Sequence, residues 1–203
     1  MKEDTKQRLI MTGARIMHLK GFNNTGIQEI LDTAGIPKGS FYNFFKSKED
    51  FGLQVIDYFV GFFLQISNQF LGDKSHPPLE RIRLLLGWFI EFFESTDYTL
   101  GCPIGNFAQE MGDVNPAFRE KLKTSLDSMA RQFVDVLLEA RESGHLSKTL
   151  NAQDTARFMI SSWEGALMSM KVEKSTEPLE THARFIFDYI LKAEWKTLER
   201  VTH

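Results

Sequence analysis

The chain has 203 residues, 42% of them hydrophobic and 25% charged, with a formal net charge of -3, a balance that belongs to a folded globular protein and excludes a disordered one. A single cysteine excludes an internal disulfide, and the longest apolar runs are broken by charge or glycine well short of membrane-spanning length. The polar start Met1-Lys-Glu-Asp-Thr-Lys6 lacks the apolar centre of a secretion signal, so the expected home is the cytoplasm, with no membrane partner.

Ile10, Gly13, Ala14 and Met17 recur at i, i+3, i+4, i+7 and predict an amphipathic helix from Thr5 to about Lys20, ended by Gly21. Lys6 and Arg8 on that helix read as a solvated face. Thr25, with Gln28 three residues on, reads as a capping box opening a second helix, and Ala34-Gly35-Ile36-Pro37 breaks it. A further short helix is expected over Lys38-Gly-Ser-Phe-Tyr-Asn-Phe-Phe45. Its Phe41 and Phe45 face a core and leave Lys38, Ser40, Tyr42 and Asn43 on the other side. Two short helices around a glycine turn are a helix-turn-helix candidate, and the second face carries donors suited to phosphates and base edges. Charge points the same way: residues 1–50 hold eight Lys/Arg against six Asp/Glu, whereas the remainder holds sixteen against twenty-one.

Ser47 is an expected N-cap, with Glu49 and Asp50 in the first turn where the helix dipole favours acids. The stripe Phe51, Val55, Phe59, Phe62, Phe63, Ile66 and Phe70 then predicts one long helix to Gly72, a lever between two regions. After the loop Asp73–Pro78, a helix over Leu79–Ser95 turns Leu85, Trp88, Phe89, Phe92 and Phe93 inward. Asn115-Pro116 opens a long helix reaching to about Gly144, and Asn151 with Asp154 opens another through Met159, Ile160, Trp163, Leu167 and Met170. Thr176-Glu-Pro178 opens the last, with Leu179, Ala183, Ile186, Phe187 and Ile190 on one side and Phe185, Tyr189 and Trp195 elsewhere. No stretch alternates as a strand does, so the fold class is all-α, with about nine helices. The last two long helices, about residues 152–172 and 178–196, are apolar on more than one face. Such helices are buried on two sides, either as a fully internal pair or against a second copy of the chain through a four-helix interface.

The pattern Thr-x-x-x-Ile, Ala-Gly-x-Pro-Lys-Gly-Ser-Phe-Tyr and Phe-Lys-Ser-Lys-Glu-Asp, spread over Thr25–Asp50, resembles the DNA-binding domain of the tetracycline-repressor (TetR) family. The resemblance covers roughly the first fifty residues. It implies a homodimer on double-stranded operator DNA, with a DNA-binding domain at 1–50 and an effector-binding and dimerisation domain at 51–203. By the same resemblance Lys38 and Lys48 bind phosphates, Thr25 places its hydroxyl or amide on one, and Tyr42 gives its hydroxyl to the backbone. Ser40 and Asn43 are assigned to base edges and Gly39 to close approach of the main chain. The chain departs from the family at Phe44, where a Tyr or His often supplies a further phosphate contact. The implied function is a one-component repressor released by a small-molecule effector. A DNA-binding activator without an effector, or a helical ligand-binding protein with a reactive thiol, are the competing readings.

The thiol lies in Leu100-Gly-Cys-Pro-Ile-Gly-Asn106, where Pro103 opens a short helix through Ala108. A cysteine at a helix N-terminus has its thiolate stabilised by the dipole. The segment is similar to one in a TetR subgroup that includes electrophile-sensing repressors, which also tends to carry a lysine at the position of Lys171. Cys102 is therefore either a sensor or a small buried hydrophobe. Trp88, Phe92, Phe107 and Trp163 supply an aromatic wall for an effector cavity or are simply core. His18, His76, His145, His182 and His203 are scattered and form no metal motif, while Glu91, Glu94 and Glu110 read as ordinary helix-face charges. Neither an enzymatic site nor a cofactor is expected.

Overall fold

The computed structural model describes residues 2–193, and every regular element among them is helical. In chain order these are α1 (Lys2–Lys20), α2 (Ile27–Ala34), a 3-10 helix (Lys38–Asn43), α3 (Lys48–Leu71), α4 (Pro78–Ser95), α5 (Pro103–Met111), α6 (Pro116–Glu142), α7 (Ala152–Glu173) and α8 (Glu177–Phe185). A π-helical turn over Ile186–Leu191 follows α8. The end of the expected last helix, with Trp195, lies outside the described residues. None of the described helices is long and apolar enough to cross a membrane.

The chain divides into two compact units, Met1–Phe62 with Cys102–Ser125, and Phe63–Gly101 with Leu126–His203. In the first, α1 buries Leu9, Ile10, Ala14, Ile16 and Met17, and α2 buries Ile30 and Leu31. The main chain of α2 ends as a glycine-dependent cap requires: Gly35 sits at φ 63° and Ile36 N–H donates to Leu31 O at 3.0 Å. Leu31 and Ile36 are both buried beside it, the apolar contact that accompanies such a cap. Phe41, Phe45 and Phe51 form a triad with ring centroids 4.8–5.4 Å apart and at most 1% exposure. Rings offset in this way add to the stabilisation from burial alone.

One local expectation fails at the start of this unit. The Thr25–Gln28 capping box does not form. Gly26 is the N-cap of α2, without a side-chain cap, because the Thr25 hydroxyl turns back to donate to Gly21 O at 2.7 Å while Gln28 bonds Asp32. The short helix expected after the turn forms as a 3-10 helix, entered from Pro37 and carrying Gly39 and Ser40, residues of weak helix propensity. The other caps form as read. Ser47 Oγ accepts from Asp50 N–H, Asn115 Oδ1 from Ala117 and Phe118, and Asn151 Oδ1 from Gln153 and Asp154.

In the second unit α4, α7 and α8 pack together around Ile82, Leu85, Met159, Ile160, Leu179, Ala183 and Phe187, all buried. Arg81 is fully buried and joins three elements. Its Nη1 donates to Leu71 O at 2.6 Å, and its Nη2 lies 2.6 Å from Glu139, which also meets Lys74. The Arg81 and then the Lys74 hydrogen bond hold the Glu139 carboxyl below its ordinary pKa. On the opposite face of α7, α8 and the π-helical turn, Phe158, Met168, Val172, Phe185 and Tyr189 stay 53–85% exposed.

Candidate nucleic-acid interface and effector region

The first unit places the residues read as DNA contacts on one short segment. With Phe41 and Phe45 buried beneath it, the 3-10 helix leaves Lys38, Gly39, Tyr42 and Asn43 exposed and Ser40 half-exposed. Tyr42, 65% exposed, stands edge-on to Phe41, so its ring is braced while its hydroxyl reaches outward. Phe44 is half-buried beside Phe45 and offers no polar atom.

Thr25 and Lys48 differ from this set. Thr25 is 1% exposed, and both its hydroxyl and its N–H serve the preceding turn, the latter donating to Phe22 O at 3.2 Å. Lys48 Nζ donates to Asn23 O at 3.3 Å and lies 4.6 Å from the Phe22 ring centroid, a cation–π distance. Partial burial pulls its pKa down, and the charges of Glu49 and Glu110 work against that shift. Lys20 is likewise engaged, paired with Glu29 at 2.6 Å.

One participant escaped the sequence reading. Glu110, at the end of α5, accepts from the N–H groups of Phe22 at 3.0 Å and Asn23 at 2.9 Å. Nothing local marks a helix-surface glutamate as the partner of a backbone 88 residues away.

The residues read as an effector wall fall into both units. Cys102, the half-buried N-cap of α5, and Phe107 belong to the first; Phe107 is 4% exposed and packs on Phe22 and Phe118. Trp88, Phe92, Trp163 and Lys171 belong to the second. There Trp88 and Phe92 are stacked, 5.4 Å apart at an interplanar angle of 9°, and Phe89 links Trp88 to Trp163 at centroid distances of 5.1 and 6.5 Å. Trp163 stands edge-on to His182, whose Nε2 lies 2.9 Å from Ser162 Oγ. Burial pushes the His182 pKa down to about 4. Among the described residues no group of three or more His, Cys, Asp or Glu is placed to hold a metal ion.

A helix-turn-helix carried by an all-helical chain defines a class of DNA-binding regulators. Residues 9–55 match the family model described as bacterial regulatory proteins, tetR family, and residues 78–186 match the tetracyclin repressor-like C-terminal domain. The chain is 33% identical to the HTH-type transcriptional repressor DhaR of Mycobacterium sp. (strain GP1) over 92% of each chain. Its fold matches the crystal structure of regulatory protein TetR from Rhodobacter sphaeroides with a TM-score of 0.82 and 35% identity, covering 88% of this chain and 94% of that one. It matches the reduced form of NemR from E. coli with a TM-score of 0.79 and 26% identity at the same coverage. The chain belongs to the TetR family of DNA-binding transcriptional regulators, which are not enzymes.

Proposed function

We propose that the chain is a dimeric repressor that leaves its operator when a small-molecule or electrophilic effector engages the C-terminal region. The observation that carries the DNA half is the exposed row Lys38, Gly39, Tyr42 and Asn43 set on buried Phe41 and Phe45. Lys38 and Lys48 bind phosphates, Tyr42 donates its hydroxyl to the sugar-phosphate backbone, and Ser40 and Asn43 read base edges while Gly39 lets the main chain come close. Thr25 contributes by ordering the entrance to α2 and not by a phosphate contact, because its hydroxyl and its N–H are both engaged in the preceding turn. For Lys48 the phosphate competes with Asn23 O and the Phe22 ring. DhaR and NemR are both named as repressors, which supports the direction of regulation.

Dimerisation uses the exposed apolar faces of α7 and α8. These flank an open groove of about 520 Å³ lined in part by Phe158, Ala166, Phe185 and Ile190. An isologous pair buries this face and sets two reading heads one turn of DNA, about 34–36 Å, apart. The functional division is a DNA-binding head at 1–50 and an effector and dimerisation region at 51–203. In that region Trp88, Phe92 and Trp163 of the second unit are the aromatic wall and Cys102 of the first is the reactive thiol, while Phe107 serves the core of the first unit and Lys171 belongs to the second. The NemR structure is described as a reduced form, which supports including oxidants in the test. An effector of this kind must favour one arrangement of the dimer by about 1–3 kcal/mol.

The test is operator binding to the DNA upstream of the protein's own gene, with and without quinones, aldehydes and oxidants, for wild type and Cys102→Ser. Release by an electrophile in wild type alone supports a thiol-sensing repressor. Equal, undiminished binding in both removes the electrophile and leaves a reversible apolar ligand as the effector to seek.

A further inference from the structure

The turn between α1 and α2, Gly21–Thr25, is short and polar, yet its polar groups are held by specific partners. Thr25 N–H and Oγ1 take the carbonyls of Phe22 and Gly21, and Lys48 takes the carbonyl of Asn23. The two N–H groups that open the turn, those of Phe22 and Asn23, both point to the Glu110 carboxylate, one to each oxygen, at 3.0 and 2.9 Å. A carboxylate across two successive backbone donors is a charge-assisted pair of bonds with a fixed direction. The surroundings fit it closely: Gly21 has φ 87°, and a Cβ there would run into Glu110 Oε1. One turn back along α5, Phe107 packs on the Phe22 ring at 5.8 Å, and Phe118 of α6 packs on it at 5.1 Å.

Glu110 lies within the segment that matches the C-terminal domain model, and Phe22 and Asn23 within the segment that matches the N-terminal one. Both ends of the contact nevertheless belong to the same compact unit. α5, preceded by its N-cap Cys102, thus closes at its other end on the turn that leads directly into α2.

We propose that Glu110 is a positioning residue for DNA recognition: its two-pronged grip on Phe22 and Asn23 sets the entrance of α2, and through that turn the register of the 3-10 helix on DNA. The proposal rests on the DNA-binding reading of the Lys38–Lys48 segment. It makes a prediction whose sign opposes simple electrostatics. Removing an acid from a DNA-binding protein ordinarily tightens binding, because the phosphates repel it; removing this acid weakens specific binding.

The experiment compares wild type with Glu110→Asp, Glu110→Gln and the exposed-acid control Asp113→Asn, on an operator recovered by selection from random duplexes and on unrelated duplex at the same salt. Glu110→Asp keeps the charge and loses the reach, whereas Glu110→Gln keeps the reach and one acceptor oxygen. The expected result is operator binding weaker by roughly tenfold in Glu110→Asp, the scale of one or two charged hydrogen bonds, with a smaller loss in Glu110→Gln. Asp113→Asn is unchanged or tighter, and binding to unrelated duplex is preserved in all four. Amide exchange at Phe22 and Asn23 rises in Glu110→Asp while that of Ile30 and Leu31 does not, which separates a displaced turn from an unfolded head. Operator binding by Glu110→Asp equal to wild type overturns the proposal, as does a loss confined to Glu110→Gln, which would mark a charge effect. A wild-type chain that selects no duplex at all overturns the DNA-binding reading and this proposal with it.

Discussion

The two compact units dispose of their apolar surface in opposite ways. In the first, the aromatic triad Phe41, Phe45 and Phe51 and the cluster Phe22, Phe107 and Phe118 are closed within the chain, each ring at most 4% exposed. In the second, α7, α8 and the π-helical turn bury Leu167, Met170, Leu179 and Phe187 on one side and hold Phe158, Phe185 and Tyr189 out in solvent on the other. The first unit sets exposed polar groups on a closed core of its own. The second leaves large apolar side chains uncovered, the face proposed above for dimerisation. An exposed apolar face of this kind marks an interaction surface, and its cost to an isolated protomer is the reason to expect obligate pairing.

Substitutions can break this contrast from either side. Phe51→Ala removes a ring that contacts both other members of the triad and is expected to cost about 3–5 kcal/mol, read as a lower denaturant midpoint together with loss of operator binding. His182 makes the second unit acid-sensitive. Its folded pKa of about 4 lies below its ordinary 6.5, so the unfolded chain binds a proton between those values and the folded chain does not. Stability is therefore full above about pH 6.5 and falls as pH drops toward 4, by about 3 kcal/mol at the limit. His182→Gln should flatten that slope in chemical denaturation measured at a series of pH values.

Phe185→Ala is expected to weaken self-association by about 2 kcal/mol, read by sedimentation, while leaving the helicity of the protomer intact. A loss of helicity instead would make α8 part of the internal core and erase the contrast. At the small end, Tyr42→Phe removes one neutral hydrogen bond and should weaken binding by about 1 kcal/mol on every sequence. Asn43→Ala should instead change which base is preferred. Uniform weakening by Asn43→Ala would reassign it to the phosphates.

Much of this was legible because it is local. The caps at Ser47, Asn115 and Asn151 satisfy N–H groups two or three residues away, and the stripes of α1, α7 and α8 follow from periodicity alone. The motif between Thr25 and Asp50 carried the family because several spaced positions agree. Local reading failed where a nearer or farther partner outcompeted the expected one. Thr25 spends its hydroxyl on the carbonyl of Gly21 rather than on the first turn of α2, and Glu110 takes partners from the opposite end of the unit. Arg81, which the sequence did not single out, is fully buried, with Leu71 O accepting from it and Glu139 pairing with its charge. Periodicity says which face turns inward, not which charge finds a partner there.

The first unit is discontinuous, with residues 102–125 completing what residues 1–62 begin. Regulators of this kind invite dissection, in which a reading head is cut out or grafted onto another sensor. A fragment ending at residue 62 would lack the Phe107 and Phe118 rings that cover Phe22 and the carboxylate that holds the turn before α2. A transplant cut at residue 50 would leave behind the α5 that carries Glu110. A head taken from this chain should therefore travel with its own α5, because its compact unit is larger than the DNA-binding motif.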